Sequence, residues 1–137
     1  MTKPAMRVAG FVATLALVAA VGTSIAPPMS PACAAAEKIS FAEDILPIFK
    51  GRCVSCHQPG GDGYEKSGLD LSTYQGLMKG TKHGPMVIPK DPDSSNLMWL
   101  LDWRASKEVR MPHGKKQLST CDRATIRAWI REGAKDN

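Results

Sequence analysis

One stretch of the sequence decides how the chain can fold: Cys53-Val54-Ser55-Cys56-His57. It has the pattern C-x-x-C-H, by which a polypeptide is joined covalently to a c-type haem. The two thiols can each add to one haem vinyl group, and the histidine after the second thiol is placed to bind the iron. We therefore predict one covalently bound haem c, with Cys53 and Cys56 as its thioether residues and His57 as an axial ligand of the iron.

Two other kinds of site use similar cysteine spacings. A redox-active C-x-x-C is expected at a strand–helix junction within a βαβ pattern, and the sequence shows no such pattern. A zinc site needs a second pair of cysteines or histidines at short spacing, which the sequence does not supply. Attachment of haem is the favoured interpretation.

The first third of the chain has the features of a secretory signal peptide. Lys3 and Arg7 precede an apolar run over residues 8–21, and small residues follow, ending in Ala34-Ala35-Ala36. A positive start, an apolar middle and an A-x-A-like end are typical of an exported precursor. We predict a signal peptide over residues 1–36, a monohaem domain over residues 37–137, and a periplasmic location. Residues 8–26 are also long enough to remain as an uncleaved membrane anchor, since a span needs about 17–25 residues.

The charge of the remaining chain argues against nucleic acid as a partner. The whole sequence has 18 Lys and Arg against 13 Asp and Glu, and removal of Lys3 and Arg7 leaves 16 against 13, a net charge of +3. That excess is small, and no basic run is longer than Lys115-Lys116. We expect redox proteins as partners, no nucleic acid, and membrane contact only if the leader is retained.

Capping residues and apolar spacing predict a small all-α domain of about four helices. Ser40 with Glu43 forms a capping box that starts the first helix, which Pro47 should bend or shorten. Ser72 can cap a short helix over residues 73–79, and residues 58–63 read as a loop. Residues 93–95 can cap the next helix, which would place Trp99 and Trp103 on one face.

The last helix has the clearest signals. Ser119 with Asp122 opens it, and Ile126, Trp129 and Ile130 form its buried stripe. Residues 106–118 before it are mostly polar and read as a loop. Cys121, near its start, is left without an evident partner and is expected to be a small buried residue.

The second axial ligand of the iron is less certain from sequence than the first. Met78 and Met98 fall in predicted helices among apolar neighbours, where methionine is usually core. Met86 and Met111 fall in loops, and Met111 is favoured because Pro112 would stiffen the loop that presents it. The other possible ligands are two loop histidines, His83 and His113.

The sequence resembles a class I cytochrome c, and within that group the planctomycete-type cytochrome c domain. The resemblance rests on several motifs: Phe49 before the haem motif, Met111-Pro112, Leu118-Ser119 leading to Trp129-Ile130, residues 41–49, residues 67–71, residues 88–92 with Ser94 and Leu97, and Gly133-Ala134. It implies the cytochrome c fold, in which short helices wrap around one covalently attached haem. It also implies His57 and Met111 as axial ligands and packing of the first helix on the last, with Phe49 near Trp129.

The function that this resemblance implies is one-electron transfer, with no catalytic reaction. No general acid–base pair or nucleophile constellation stands out in the sequence. Five lysines fall in loops or at helix ends that could surround an exposed haem edge: Lys79, Lys82, Lys90, Lys115 and Lys116. Two alternatives stay open. One is an open-site haem that binds a small ligand or reduces peroxide, and the other is an electron-entry subunit of a larger oxidoreductase.

Overall fold

The computed structural model describes residues 38–137, and these residues form helices and no strand. The predicted all-α class is confirmed at that level. A π-helical turn, Phe41–Ile45, is followed by five α-helices: α1 Leu46–Arg52, α2 Asp62–Ser67, α3 Tyr74–Lys79, α4 Asn96–Leu101 and α5 Thr120–Arg131. The predicted signal peptide, residues 1–36, lies outside the described residues. Within residues 38–137, none of the helices has the length and apolar character that a membrane span requires.

The first helical segment begins where the capping box predicts. The Ser40 hydroxyl accepts a hydrogen bond from the amide of Glu43 at 3.2 Å. Pro47 lies in the first turn of α1, directly after the π-helical turn. The amide that proline lacks is not needed in the first turn of a helix, so the helix continues to Arg52. The irregular part of this segment is therefore the π-helical turn that precedes Pro47, and α1 itself is regular.

Two helices differ from the sequence-based prediction. Helix α2 occupies part of a stretch that was read as a loop, and no side chain caps its first turn. Helix α3 is capped by Thr73, whose hydroxyl accepts from the amide of Gly76 at 3.0 Å, and not by Ser72. Ser72 donates instead to the Asp70 carboxylate at 2.6 Å. The difference at α3 comes from a competing local hydrogen bond of Ser72, which composition does not reveal.

Helix α4 is shorter than its apolar pattern suggests. It ends at Leu101, so Trp103 lies beyond it, with a φ of 57°. Trp99 is 46% exposed on the helix, and the prediction that the two tryptophans share one face of a helix is wrong. Ser95 precedes α4, but its hydroxyl does not cap the helix. It bonds instead to the loop before α4, where it accepts from the amide of Ile88 at 2.9 Å and donates to the carbonyl of Asp91 at 2.7 Å.

The first helical segment packs on the last helix, as the resemblance implies, but through a different ring. Phe41 is buried, with its ring centroid 5.6 Å from that of Trp129 and 5.3 Å from that of Tyr74. Phe49 is fully buried and lines a groove elsewhere in the domain. On α5, Ile126, Trp129 and Ile130 are buried, as their spacing predicts. Phe41 takes the place beside Trp129 that was expected for Phe49.

Candidate functional site

A groove of about 410 Å³ brings the predicted site residues together. Cys53, Cys56, His57 and Met111 all line it. Most of its wall is apolar and comes from four different parts of the chain, namely Phe49, Leu69 with Leu71, Met86, and Leu97 with Leu100 and Leu101. An apolar cleft with a few convergent polar groups is the usual form of a cofactor site.

The two thiols lie at the end of α1. The chain turns there, with the amides of Cys56 and His57 donating to the carbonyl of Cys53 at 3.1 Å and 3.0 Å. Cys53 is half-buried and Cys56 is exposed, and both are free thiols. Burial raises the pKa of Cys53 to about 11, although the positive charges of Arg52 and Lys115 act to lower it. Cys53 therefore belongs to the wall of the groove, whereas Cys56 lies at its rim.

The imidazole of His57 is held in an apolar environment. His57 is 9% exposed, and its Nδ1 atom has no hydrogen-bond partner within normal distance among the described residues. Burial lowers the pKa of His57, because it disfavours the charged imidazolium, while the backbone of Leu69 acts in the opposite direction without completing a hydrogen bond. The neutral imidazole is the form that coordinates a metal. A buried, neutral imidazole with no hydrogen bond to its Nδ1 fits the role of an iron ligand.

A glycine makes room for this imidazole. A Cβ atom at Gly63, in the first turn of α2, would lie 2.8 Å from Cε1 of His57 and 3.0 Å from Nδ1. It would also lie 3.0 Å from the carbonyl oxygen of Cys56. Helix α2 is tied to the haem motif at this point, since the amide of Tyr64 donates to that same carbonyl at 2.9 Å. Gly63 was not among the predicted site residues, because a glycine within a glycine-rich stretch carries no signal of its own.

The groove contains three of the six side chains that were considered as second ligands. Met86, Met111 and His113 line it with His57, and Met78, Met98 and His83 are not among the lining residues. Met86 is 6% exposed and belongs to the hydrophobic core, whereas Met111 is half-buried and packs against that core. Two thiols that could attach a haem, with an imidazole and a thioether that could bind its iron, lie along one apolar groove, and this combination fits a c-type haem.

The loop that carries Met111 is fixed to the end of α4. The amide of Met111 donates to the carbonyl of Leu100 at 3.2 Å, and the carbonyl of Met111 accepts from the indole Nε1 of Trp103 at 2.8 Å. Pro112 is buried, and the peptide bond that joins it to Met111 is cis. Trp103 was read as part of a helix face, and nothing in its spacing indicated this contact.

The charged lining of the groove is mixed, with more cations than anions. Arg52, Lys66 and Lys115 line it, together with Asp62 and Glu108. Of the five lysines whose positions could surround a haem edge, Lys115 is the one among the residues that line the groove. Arg52 also donates to the backbone carbonyl of Lys116 at 3.0 Å, which ties the end of α1 to the loop that follows Met111.

Cys121 requires a correction. The sequence left it without an evident partner, but in the structure Cys121 is disulfide-bonded. It is half-buried near the start of α5 and is not among the residues that line the groove.

The residues that line the groove are those expected of a c-type cytochrome, and comparison with known proteins points to the same class of protein. Residues 53–113 match the model of a family described as planctomycete cytochrome C. This match agrees with the predicted resemblance and is consistent with a cytochrome c-like domain, and the matched range begins at the first cysteine of the haem motif. The matched range includes Met111 and ends at His113, so it does not contain the first helical segment or α5. No curated protein and no solved structure matches the chain significantly.

Proposed function

We propose that this protein is a periplasmic electron-transfer protein with one haem c, covalently attached through Cys53 and Cys56 and bound axially by His57 and Met111. When bound, the haem supplies an iron that can cycle between Fe(III) and Fe(II). One observation carries the proposal: the two thiols, the buried imidazole and a loop methionine converge on the same apolar groove. We assign it no catalytic reaction.

The surroundings of the two groove methionines favour Met111 over Met86 as the second ligand. Met86 lies in the core and its carbonyl accepts from the amide of Leu97 at 2.8 Å. Its side chain already has the packing expected of a structural methionine. Met111 is half-buried, and both of its backbone polar groups are bonded to the end of α4. A methionine whose backbone is held while its side chain lines the groove suits a ligand.

The rim of the groove suits exchange of electrons with another protein. Cys56 is exposed and Cys53 is half-exposed, so a haem joined to them would have an edge near the surface. The positive charges of Arg52 and Lys115 act on Cys53 and therefore lie beside the same edge. Oppositely charged surfaces speed the encounter of two proteins. We expect the redox partner to present an acidic surface to this edge.

The spectrum of the purified holoprotein tests the axial ligands. Ferric haem with a Met–iron bond has a near-infrared band, which should be present in the wild-type protein and absent from Met111→Ala. Met86→Leu is the matched control, because it changes the other groove methionine, and it should keep the band. A high-spin ferric spectrum in the wild-type protein would contradict the proposal and favour the open-site alternative.

Mass spectrometry of the mature protein tests the cofactor and the export prediction together. The intact mass should include one haem, and peptides should carry it on Cys53 and Cys56. The first residue of the mature chain should lie at the end of the predicted leader, residues 1–36. A mass without haem would contradict the proposal. An intact N-terminus would contradict cleavage of the leader and would favour its retention as a membrane anchor.

A further inference from the structure

Trp103 has a backbone conformation that a bulky side chain rarely adopts. Its φ of 57° lies in the left-handed region, directly after α4 ends at Leu101. Residues held in that region tend to be found where the surrounding structure uses the conformation for a purpose. The amide of Trp103 donates to the carbonyl of Leu100 at 3.2 Å, so the chain turns sharply at the end of the helix.

The turn directs the indole of Trp103 to the loop that carries Met111. The indole Nε1 donates to the carbonyl of Met111 at 2.8 Å. The amide of Met111 donates to the carbonyl of Leu100, the same carbonyl that receives the amide of Trp103. Met111 is therefore bound on both sides of its α-carbon to the four-residue stretch 100–103, at and just beyond the end of α4.

One face of the indole is covered by the side chain of Arg110, which helps to hold the ring in this position. The guanidinium carbon of Arg110 lies 3.9 Å from the centroid of the Trp103 ring. Arg110 directly precedes Met111, so the loop both stacks on the indole and accepts its hydrogen bond. Leu100 and Leu101 at the end of α4 line the groove, which places this anchor at the wall of the site itself.

We propose that Trp103 is a positioning residue that keeps the thioether of Met111 directed into the groove and so strengthens the Met111–iron bond. This inference rests on the proposed function, because it assumes that Met111 is the second axial ligand. Loss of the indole N–H would leave the carbonyl of Met111 to water and would make displacement of the loop easier. The net strength of one hydrogen bond corresponds to a change of about 3- to 10-fold in that equilibrium.

Displacement of Met111 by imidazole measures the effect directly. Imidazole is added to the ferric holoprotein, and loss of the near-infrared band is followed. Trp103→Phe keeps the ring but removes the N–H, and it should bind imidazole about 3- to 10-fold more tightly than the wild-type protein. Its reduction potential should also fall, because a weaker bond to the thioether favours the ferrous state less.

Trp99→Phe is the matched control. Trp99 lies four residues earlier, is 46% exposed, and stacks with Arg104 at 4.5 Å. Its substitution should leave imidazole affinity and potential unchanged. Equal imidazole affinities for the two variants would overturn the role of Trp103. Absence of the near-infrared band from the wild-type protein would instead refute Met111 ligation, so the two failures are distinguishable.

Hydrogen exchange in the wild-type protein tests the same role should Trp103→Phe fail to fold. The indole N–H of Trp103 should exchange slowly, and saturating imidazole should accelerate it, since displacement of Met111 and release of this hydrogen bond are linked reciprocally. The indole N–H of Trp129, which donates to the carbonyl of Lys135 at 3.0 Å, is the internal reference and should be unaffected. No acceleration at Trp103 would overturn the proposal.

Discussion

Substitution of Gly63 by alanine tests whether the imidazole of His57 is held in place by close packing. A Cβ atom at this position would lie 2.8 Å from Cε1 of His57, and 3.0 Å from the carbonyl oxygen of Cys56. Favourable contacts between carbon atoms begin at about 3.5 Å. The methyl group must therefore displace the imidazole, the backbone of Cys56, or α2 itself.

The size of the effect follows from two opposing terms. Overpacking of a buried site costs about 1–3 kcal/mol. Replacing glycine by alanine in a helix returns up to about 1 kcal/mol, and less near a helix end. We expect Gly63→Ala to lower the free energy of unfolding by about 1–2 kcal/mol.

Gly51→Ala is a matched control, because Gly51 lies in α1 and a Cβ atom there would meet nothing within 4 Å. It should raise the free energy of unfolding by about 0.5–1 kcal/mol. Denaturant unfolding of both holoproteins measures the difference, which should be about 1.5–3 kcal/mol. Gly63→Ala should also change the ferric spectrum, since the imidazole would be tilted. Equal stabilities, with unchanged spectra, would refute close packing of α2 on His57.

Two further predictions concern the loop before α4 and the rim of the groove. Ser95→Ala should cost about 1–3 kcal/mol in denaturant unfolding, because the fully buried hydroxyl bonds both the amide of Ile88 and the carbonyl of Asp91. The exposed neighbour gives the control Ser94→Ala, which should stay within about 0.5 kcal/mol, and a similar loss there would contradict the role of Ser95. Lys115→Gln should slow reduction of the ferric protein by hexacyanoferrate(II) by up to about fivefold at low ionic strength, since two unit charges 4 Å apart in water interact with about 1 kcal/mol. The difference should vanish near 1 M salt, where the screening length is about 3 Å, and an equal effect of Lys79→Gln would refute a local role for Lys115.

Local signals predicted two of the helix starts that depend on one side chain. Ser40 and Ser119 cap their helices as expected, because an N-cap needs only a hydroxyl and the backbone amides next to it. Helix α2 was missed because no side chain caps it, and the amide of Tyr64 in its first turn donates instead to the carbonyl of Cys56 in the haem motif. A contact between separate segments leaves no periodic trace in the sequence.

The tryptophans show the same limit at the site. Their four-residue spacing predicted a shared helix face, which requires the helix to continue beyond Leu101. In the structure, Trp103 leaves the helix and bonds to Met111, eight residues later in the chain. Likewise, the ring that packs on Trp129 is Phe41, although the resemblance pointed to Phe49. Spacing indicates which residues can share a face of a helix. Whether they do so depends on where the helix ends.

The sequence by itself predicted the chemistry that is proposed for this protein. Cys53, Cys56 and His57 form one contiguous motif, and covalent haem attachment depends on the order of those three residues and little else. Only the tertiary structure decided which distant residues complete the groove, because Met86, Met111 and His113 meet His57 through folding alone. The same holds for two residues next to the site. Gly63 packs against the imidazole of His57, and Trp103 donates a hydrogen bond to Met111. Both are short contacts between segments that are separate in the sequence.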